Sequence, residues 1–325
     1  MNEGQLFRKL RKDRGLSLEQ VADEMNSVSF ISKFEKGNSN ISMHRLERLL
    51  QNINVSFEEF LYLRELDNVP NLNQTLKVLR GYLTSDFYFS LAEIMETISS
   101  INEIGFKEGI KRMQTFKANM NPKISWQKFV SIYCDICIYT YKSNLDESDE
   151  LEAGSVMKEI NYLSKPIVSY LYKVEDWGVF EVLLFRMFFF SFTAEQVSHL
   201  LKIAISRTKK EARLQVMANL KIDVLFSAFS YFVNFRYEKE AEETLEIARG
   251  LLKNERDLTN STCLLFYEGW FTIVFRDMEK GLQSCYQAIS IFKILDQPEL
   301  ESRFQLFLKN ILKNKAEPDS YYMFV

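Results

Sequence analysis

Residues Leu16–Gly37 read Leu-Ser-Leu-Glu-Gln-Val-Ala-Asp-Glu-Met-Asn-Ser-Val-Ser-Phe-Ile-Ser-Lys-Phe-Glu-Lys-Gly, and their spacing predicts two short helices joined by a tight turn. Ser17 is placed to cap the first, with Val21 and Ala22 on its inner face and Met25 one turn later. Asn26 and Ser27 interrupt the pattern. A second helix is expected over Val28–Lys36, with Ile31 and Phe34 turned inward and Gly37 ending it. Two such helices around a small buried seam form a helix-turn-helix, whose second helix enters the major groove of DNA.

Helical spacing continues on either side, so residues 1–66 read as a five-helix head. Leu6, Phe7 and Leu10 share one face of a first helix over Gly4–Arg14. Ser42 caps a fourth helix carrying Leu46, Leu49, Leu50 and Ile53, and Ser56 with Glu59 opens a fifth through a capping box. Acidic and basic residues balance across the head, so any attraction for DNA depends on where the charges sit. Arg8, Lys9, Arg11, Lys12 and Arg14 fall within seven residues. Such a run is either a solvated helix face or, beside this motif, a set of phosphate contacts from Arg8, Arg11 and Lys12.

Once Ile31 and Phe34 turn inward, the second helix presents Val28, Ser29, Phe30, Ser32 and Lys33 to base edges. Hydroxyls and an ammonium can hydrogen-bond there, and Phe30 either touches a thymine methyl or folds back on the head. Glu35 is expected to cap or to pair with a basic residue of helix one. Asn38, Asn40 and Ser42 precede the fourth helix, where backbone amides and short polar side chains suit a phosphate.

The length of 325 residues suits about two domains. Pro (5) and Gly (11) are scarce, which favours long helices over many strands joined by tight turns. Asp67–Asn73, with Pro70 and several Asn, is the expected linker (67–75), and residues 76–325 read as about a dozen helices broken at Gly105, Asn121-Pro122, Asn144–Asp149, Lys165-Pro166, Asp176, Lys209–Glu211, Tyr237–Glu240, Asn254–Asn260, Asp277 and Gln297-Pro298. An internal repeat supports stacked helical hairpins. Arg236–Ala241 and Ala248 are echoed by Arg276–Gly281 and Ala288 at an offset of 40. The pattern is similar to tetratricopeptide repeats, with Gly269, Gly281 and Ala288 at the small positions, although the tetratricopeptide period is about 34 residues.

Other function classes find little support. A net charge of −3 argues against a polycation. Residues 2–15 lack a secretory apolar segment, and Val179–Phe192 is too short and too interrupted by Glu181 and Arg186 to span a bilayer. A cytoplasmic protein with reduced thiols is expected. Cys134 and Cys137 form a CxxC in an apolar stretch with no second pair, and read as buried small hydrophobes rather than a metal or redox site. With two histidines 155 residues apart and no phosphate loop, nucleophile elbow or dinucleotide fingerprint, no enzyme, metal or cofactor is expected.

Leu10-Arg11-Lys12, Leu16-Ser17, Ser32–Gly37, Ile41-Ser42 and Ser56–Phe60 resemble the N-terminus of Rgg-type regulators of Gram-positive bacteria and, more broadly, the phage-repressor-like class. The resemblance is specific over about the first 63 residues, and the helical remainder agrees in length and character. It implies an all-α homodimeric regulator: a five-helix phage-repressor-like head on double-stranded operator DNA, and a tetratricopeptide-like solenoid that binds a short signalling peptide. Two departures stand out. No Cys occupies the fourth helix, where some members link their dimers, and Leu18 stands where a Gln commonly contacts phosphate, leaving Gln20 as a substitute.

A peptide groove has one candidate lining. Asn219, Asp223, Ser227, Ser230 and Asn234 fall on one face of an otherwise apolar helix, and amides offer a peptide backbone both donor and acceptor. That stripe is either a groove wall or an ordinary solvent face. Arg186, a lone cation in an apolar run, either pairs with a carboxylate such as Glu181 or meets an acidic peptide group. Tyr170, Trp177 and Trp270 either line a pocket or belong to the core. The array itself is expected to bind a peptide and to shift the two heads; the alternatives are a protein-interaction scaffold or a pure dimerisation module of a constitutive repressor.

Overall fold

Short polar side chains ahead of apolar runs set the helix starts of the head. In the computed structural model, which describes residues 2–65, 79–145, 153–208, 215–253 and 255–316, helices α1 (Glu3–Asp13), α2 (Leu18–Val21), α3 (Val28–Glu35), α4 (Met43–Asn52) and α5 (Phe57–Glu65) follow one another. Asn2 and Ser17 close reciprocal capping boxes with Gln5 and Gln20, and Ser27 and Ser42 accept from Phe30 N and Arg45 N. The inward faces meet in one core of Leu6, Phe7, Val21, Ile31, Phe34, Leu49, Leu50 and Phe60, among others. Gly4 permits α1 to lie directly on α3. A Cβ there would sit 1.9 Å from the Phe34 carbonyl oxygen.

The first helix of the pair is shorter than its apolar spacing predicts. It stops at Val21, and Met25 is exposed rather than on an inner face. The cause is Asp23, whose carboxylate accepts from the backbone N–H of Met25 and Asn26, a local turn that competes with helix. Asn52 of α4 locks it, donating to Val21 O at 3.0 Å and Asp23 Oδ2 at 2.9 Å.

The chain divides into two compact units, Met1–Ala92 and Glu93–Val325. The expected linker Asp67–Asn73 lies outside the described residues, as do most of Asn144–Asp149 and all of Lys209–Glu211. After a 3-10 turn at Arg80–Tyr82 come α6 (Ser85–Ser99), α7 (Ile101–Ala118), α8 (Ser125–Ser143), α9 (Ala153–Lys173), α10 (Val179–Phe188), a 3-10 turn at Phe189–Ser191, and α11 (Ala194–Arg207). Then follow α12 (Gln215–Asn234), α13 (Glu238–Leu252), α14 (Leu258–Phe275), α15 (Met278–Ile294) and α16 (Pro298–Ala316). Most sequential helices of this array pack on one another, the closest being α14 on α15. No strand occurs among the described residues.

Most predicted breaks fall between helices, and Gly105 interrupts α7 with φ +78°. The break expected at Lys165-Pro166 does not occur, because Pro166 lies inside α9. A mid-helix proline costs roughly 3 kcal/mol, and burial of Ile160, Ile167, Val168 and Leu171 on both sides of it offsets that cost. The small residues of the offset-40 repeat act as expected. Gly269 and Gly281 bring α14 and α15 backbone to backbone, so that a Cβ on Gly281 would lie 2.6 Å from Gly269 O. Helix α12 contains a segment, Val216–Asn234, long and apolar enough to cross a membrane, but it is a core helix packed by α10, α11, α13 and α14.

Candidate nucleic-acid interface and effector face

In the head, α3 presents the residues its sequence promised. Ile31 and Phe34 are buried, Ser29 and Lys33 are exposed, and Val28, Phe30 and Ser32 are half-buried at the helix margin. Gly37, at φ +77°, ends the helix, and Asn38, Asn40 and Ser42 lie exposed before α4. Arg8 and Lys12 are exposed on α1. Gln20 is exposed, but its Oε1 accepts from Ser17 N at 2.8 Å, which leaves only its amide N–H groups for a phosphate.

Arg11 is not available to DNA. It is 6% exposed, and its Nε and Nη2 donate to the two carboxylate oxygens of Glu35 at 2.6 and 2.8 Å. Nη1 donates to Leu16 O at 2.6 Å. The Glu35 hydrogen bond holds the guanidinium above its already high pKa against the opposing effect of burial. The pair ties α1 to α3 and to the loop before α2. Arg11 therefore orients the reading helix from behind, and the phosphate contact predicted for it is withdrawn. Glu35 pairs with helix one as its position suggested.

Phe30 folds back rather than standing free. The Arg45 guanidinium carbon lies 4.6 Å from its ring centroid. Arg45 was not singled out in the sequence, where only its place three residues after the Ser42 cap marks it as a first-turn residue. Asp23, the turn-former, titrates below the ordinary carboxylate range. Burial pushes it up, but hydrogen bonds from Asn52, Asn26 and Met25 and the charge of Arg48 outweigh that.

In the second unit, the polar stripe of α12 is not a solvent face. Asn219, Asp223, Ser227 and Asn234 are half-buried, and Ser230 is fully buried. Ser230 leaves the candidate set, because its hydroxyl is turned to Phe226 O at 2.9 Å within the core. Asn234 Oδ1 accepts from Asn314 of α16 at 3.2 Å. Arg186 pairs with Asp223 at 3.4 Å, not with Glu181, whose carboxylate accepts from Tyr170 OH at 2.6 Å and Gly178 N at 3.0 Å. Burial raises the Asp223 pKa while Arg186 and Arg303 pull it down, so two guanidinium groups act on one poorly solvated carboxylate. Trp177 and Trp270 are buried core residues.

A separate cleft of about 660 Å³, lined by Thr193, Ser198, His199, Lys202 and Tyr237 among others, contains none of the predicted effector residues. All four cysteines are free and buried. Burial raises each thiol to about 12, leaving them as thiols and poor metal ligands. No group of three or more His, Cys, Asp or Glu able to hold a metal occurs among the described residues.

A helix-turn-helix head followed by an array of helical hairpins defines a DNA-binding regulator with a large helical attachment. Residues 128–306, more than half of the chain, match the C-terminal domain of the HTH-type transcriptional regulator Rgg, and residues 7–60 match the helix-turn-helix family. The chain belongs to the Rgg family of transcriptional regulators. Its fold is similar along nearly the whole chain to solved structures. One is the SHP pheromone receptor Rgg2 of Streptococcus dysgalactiae, with 18% identity, TM-score 0.66, and coverage of 95% of this chain and 99% of that one. Another is a Listeria monocytogenes protein described as a transcriptional regulator, with 19% identity, TM-score 0.71, and coverage of 97% and 98%. A third is PrgX in complex with iCF10, with 16% identity, TM-score 0.62, and coverage of 95% of each chain.

Proposed function

We propose that this Rgg-family regulator binds operator DNA in the cytoplasm as a homodimer and is switched by a short peptide held on its helical array. In this reading residues 1–66 are the head, 67–75 the connection and 76–325 the effector and dimerisation domain. One helix-turn-helix makes too few contacts for specific binding, and two half-sites a helical turn apart supply the rest. Ser29 and Lys33 read bases, and Arg8, Lys12, Asn38, Asn40 and Ser42 hold phosphates.

The observation that carries the effector role is the half-buried polar stripe of α12. Asn219, Asp223 and Ser227 lie half-buried on one helix among many apolar residues, with Arg186 against Asp223. Buried polar groups are retained where they bind something or pair with each other. The structurally similar proteins include one described as a pheromone receptor and one described as a bacterial peptide pheromone/receptor complex, which supports a peptide as the ligand class.

Titrating the protein on a fluorescent duplex, with and without short peptides encoded beside its gene, tests the proposal. By linkage, a peptide that binds must change operator affinity by the factor by which operator changes peptide affinity. Lys33→Ala is expected to weaken binding and relax preference at one base pair, a loss of about 1–3 kcal/mol. Peptides that bind and leave operator affinity untouched would refute the switch, and an unchanged base preference in Lys33→Ala would move that residue to phosphate.

A further inference from the structure

Each of the other arginines in the head has a carboxylate within ion-pair distance. Arg8 and Arg11 face Glu35, Arg14 faces Glu59, Arg48 faces Asp23 and Arg64 faces Glu3. Arg45 has none among the described residues. Its backbone is nonetheless pinned on both sides. Ser42 Oγ accepts from Arg45 N at 3.5 Å, and the Arg45 carbonyl accepts from Nδ2 of the fully buried Asn26 at 3.3 Å. The guanidinium rests on the Phe30 ring of the reading helix, 4.6 Å from its centroid, and both residues are half-exposed.

A guanidinium resting on an aromatic face gives up none of its N–H donors to that contact and keeps them at the rim of the stack, in a planar fork suited to phosphate oxygens. An arginine with a pinned backbone, an aromatic platform and no acidic partner among the described residues, next to the reading helix, is a cation held ready for an external anion. We infer that Arg45 is a phosphate contact of the DNA-bound head and that Phe30 is its positioning residue. This replaces both the phosphate role that sequence placement suggested for Arg11 and the direct thymine contact suggested for Phe30. The inference rests on the reading of α3 as the helix that faces DNA.

The test is the salt dependence of binding by the full-length protein to a duplex enriched from a randomised pool by the wild type. Loss of one phosphate contact lowers the slope of log K against log salt by about 0.9 per bound head, which at 0.1 M salt amounts to roughly an eightfold loss per head. Arg45→Ala is expected to show that loss for enriched and scrambled duplexes alike, and Arg45→Lys, which keeps the charge, to restore most of the slope. Phe30→Leu keeps apolar bulk and is expected to weaken binding in the wild type but to add nothing in an Arg45→Ala background. An unchanged slope in Arg45→Ala, or one that lysine fails to restore, overturns the phosphate contact. A Phe30→Leu loss of equal size with and without Arg45 overturns the platform. A wild type that enriches no duplex refutes the DNA reading itself, and this inference with it; a wild type that binds while the variants match it refutes this inference alone.

Discussion

Removing Arg11 tests the buried pair on which the head is assembled. Arg11 and Glu35 are 6% and 5% exposed and joined by two hydrogen bonds, so Arg11→Ala leaves a buried carboxylate with only the exposed Arg8 guanidinium, 4.0 Å away, in place of two hydrogen bonds. Breaking a buried pair by removing one partner costs about 3–5 kcal/mol. At roughly 0.05–0.15 kcal/mol per residue, a head of about 60 residues has only about 3–9 kcal/mol to lose. Arg11→Ala is therefore expected to leave a sizeable fraction of heads unfolded at 25 °C. Glu35→Leu combined with Arg11→Met, which removes both charges and keeps the volume, should recover most of the loss. Amide hydrogen exchange on α1 and α3 in the full-length protein reports the opening free energy of the head, and the salt slope of whatever DNA binding remains reports phosphate contacts. A loss below about 1 kcal/mol, or a double variant as unstable as the single one, would refute the buried-pair account. A reduced salt slope in a fully folded Arg11→Ala head would return Arg11 to the phosphates.

Other consequences are open to measurement. Gly281→Ala, whose Cβ would meet Gly269 O and Ile273 N at 2.6 Å, is expected to cost about 1–3 kcal/mol or more, since rigid backbone cannot step aside; an unchanged denaturant midpoint contradicts the contact. The raised Asp223 pKa means that the fold holds this proton more tightly than the unfolded chain does. Its stability contribution is thus complete below the ordinary aspartate value and lost as pH rises through the raised one. Stability of the wild type relative to Asp223→Asn should fall over that window, and parallel curves would exclude the effect. With every thiol pushed up to about 12, native protein at neutral pH should resist alkylation and release all four thiols on denaturation; rapid labelling of the CxxC in the folded state would contradict its burial.

Much of the head was legible because its signals are local. Caps at Ser17 and Ser42 and the inward spacing of Ile31 and Phe34 lie within a few residues of the features they determine. What escaped depends on residues distant in sequence. Nothing near Arg11 reveals that Glu35 closes over it, so a charge run on helix one looked uniformly available. Helix α2 is cut short by Asp23, but Asn52 from α4 makes that turn secure. Arg45 becomes visible as a site residue only when α4 lays it on Phe30. In the array, Gly269 and Gly281 were readable from an internal echo, whereas the Pro166 break failed because tertiary burial outweighs a local backbone penalty. The spacing puts the stripe on one face of α12, but periodicity cannot tell a half-buried face from an open one, nor that Ser230 is buried and turns into its own helix.

The contact of Gly269 with Gly281 also limits how the array can move. Packed helices ordinarily slide past each other by small rotamer adjustments in the side-chain layer between them. At this crossing backbone meets backbone, with the Cys285 and Ile273 side chains alongside, so little of that layer is left to adjust. Helices α14 and α15 are thereby fused into a single mechanical element, and a disturbance reaching either one must displace both.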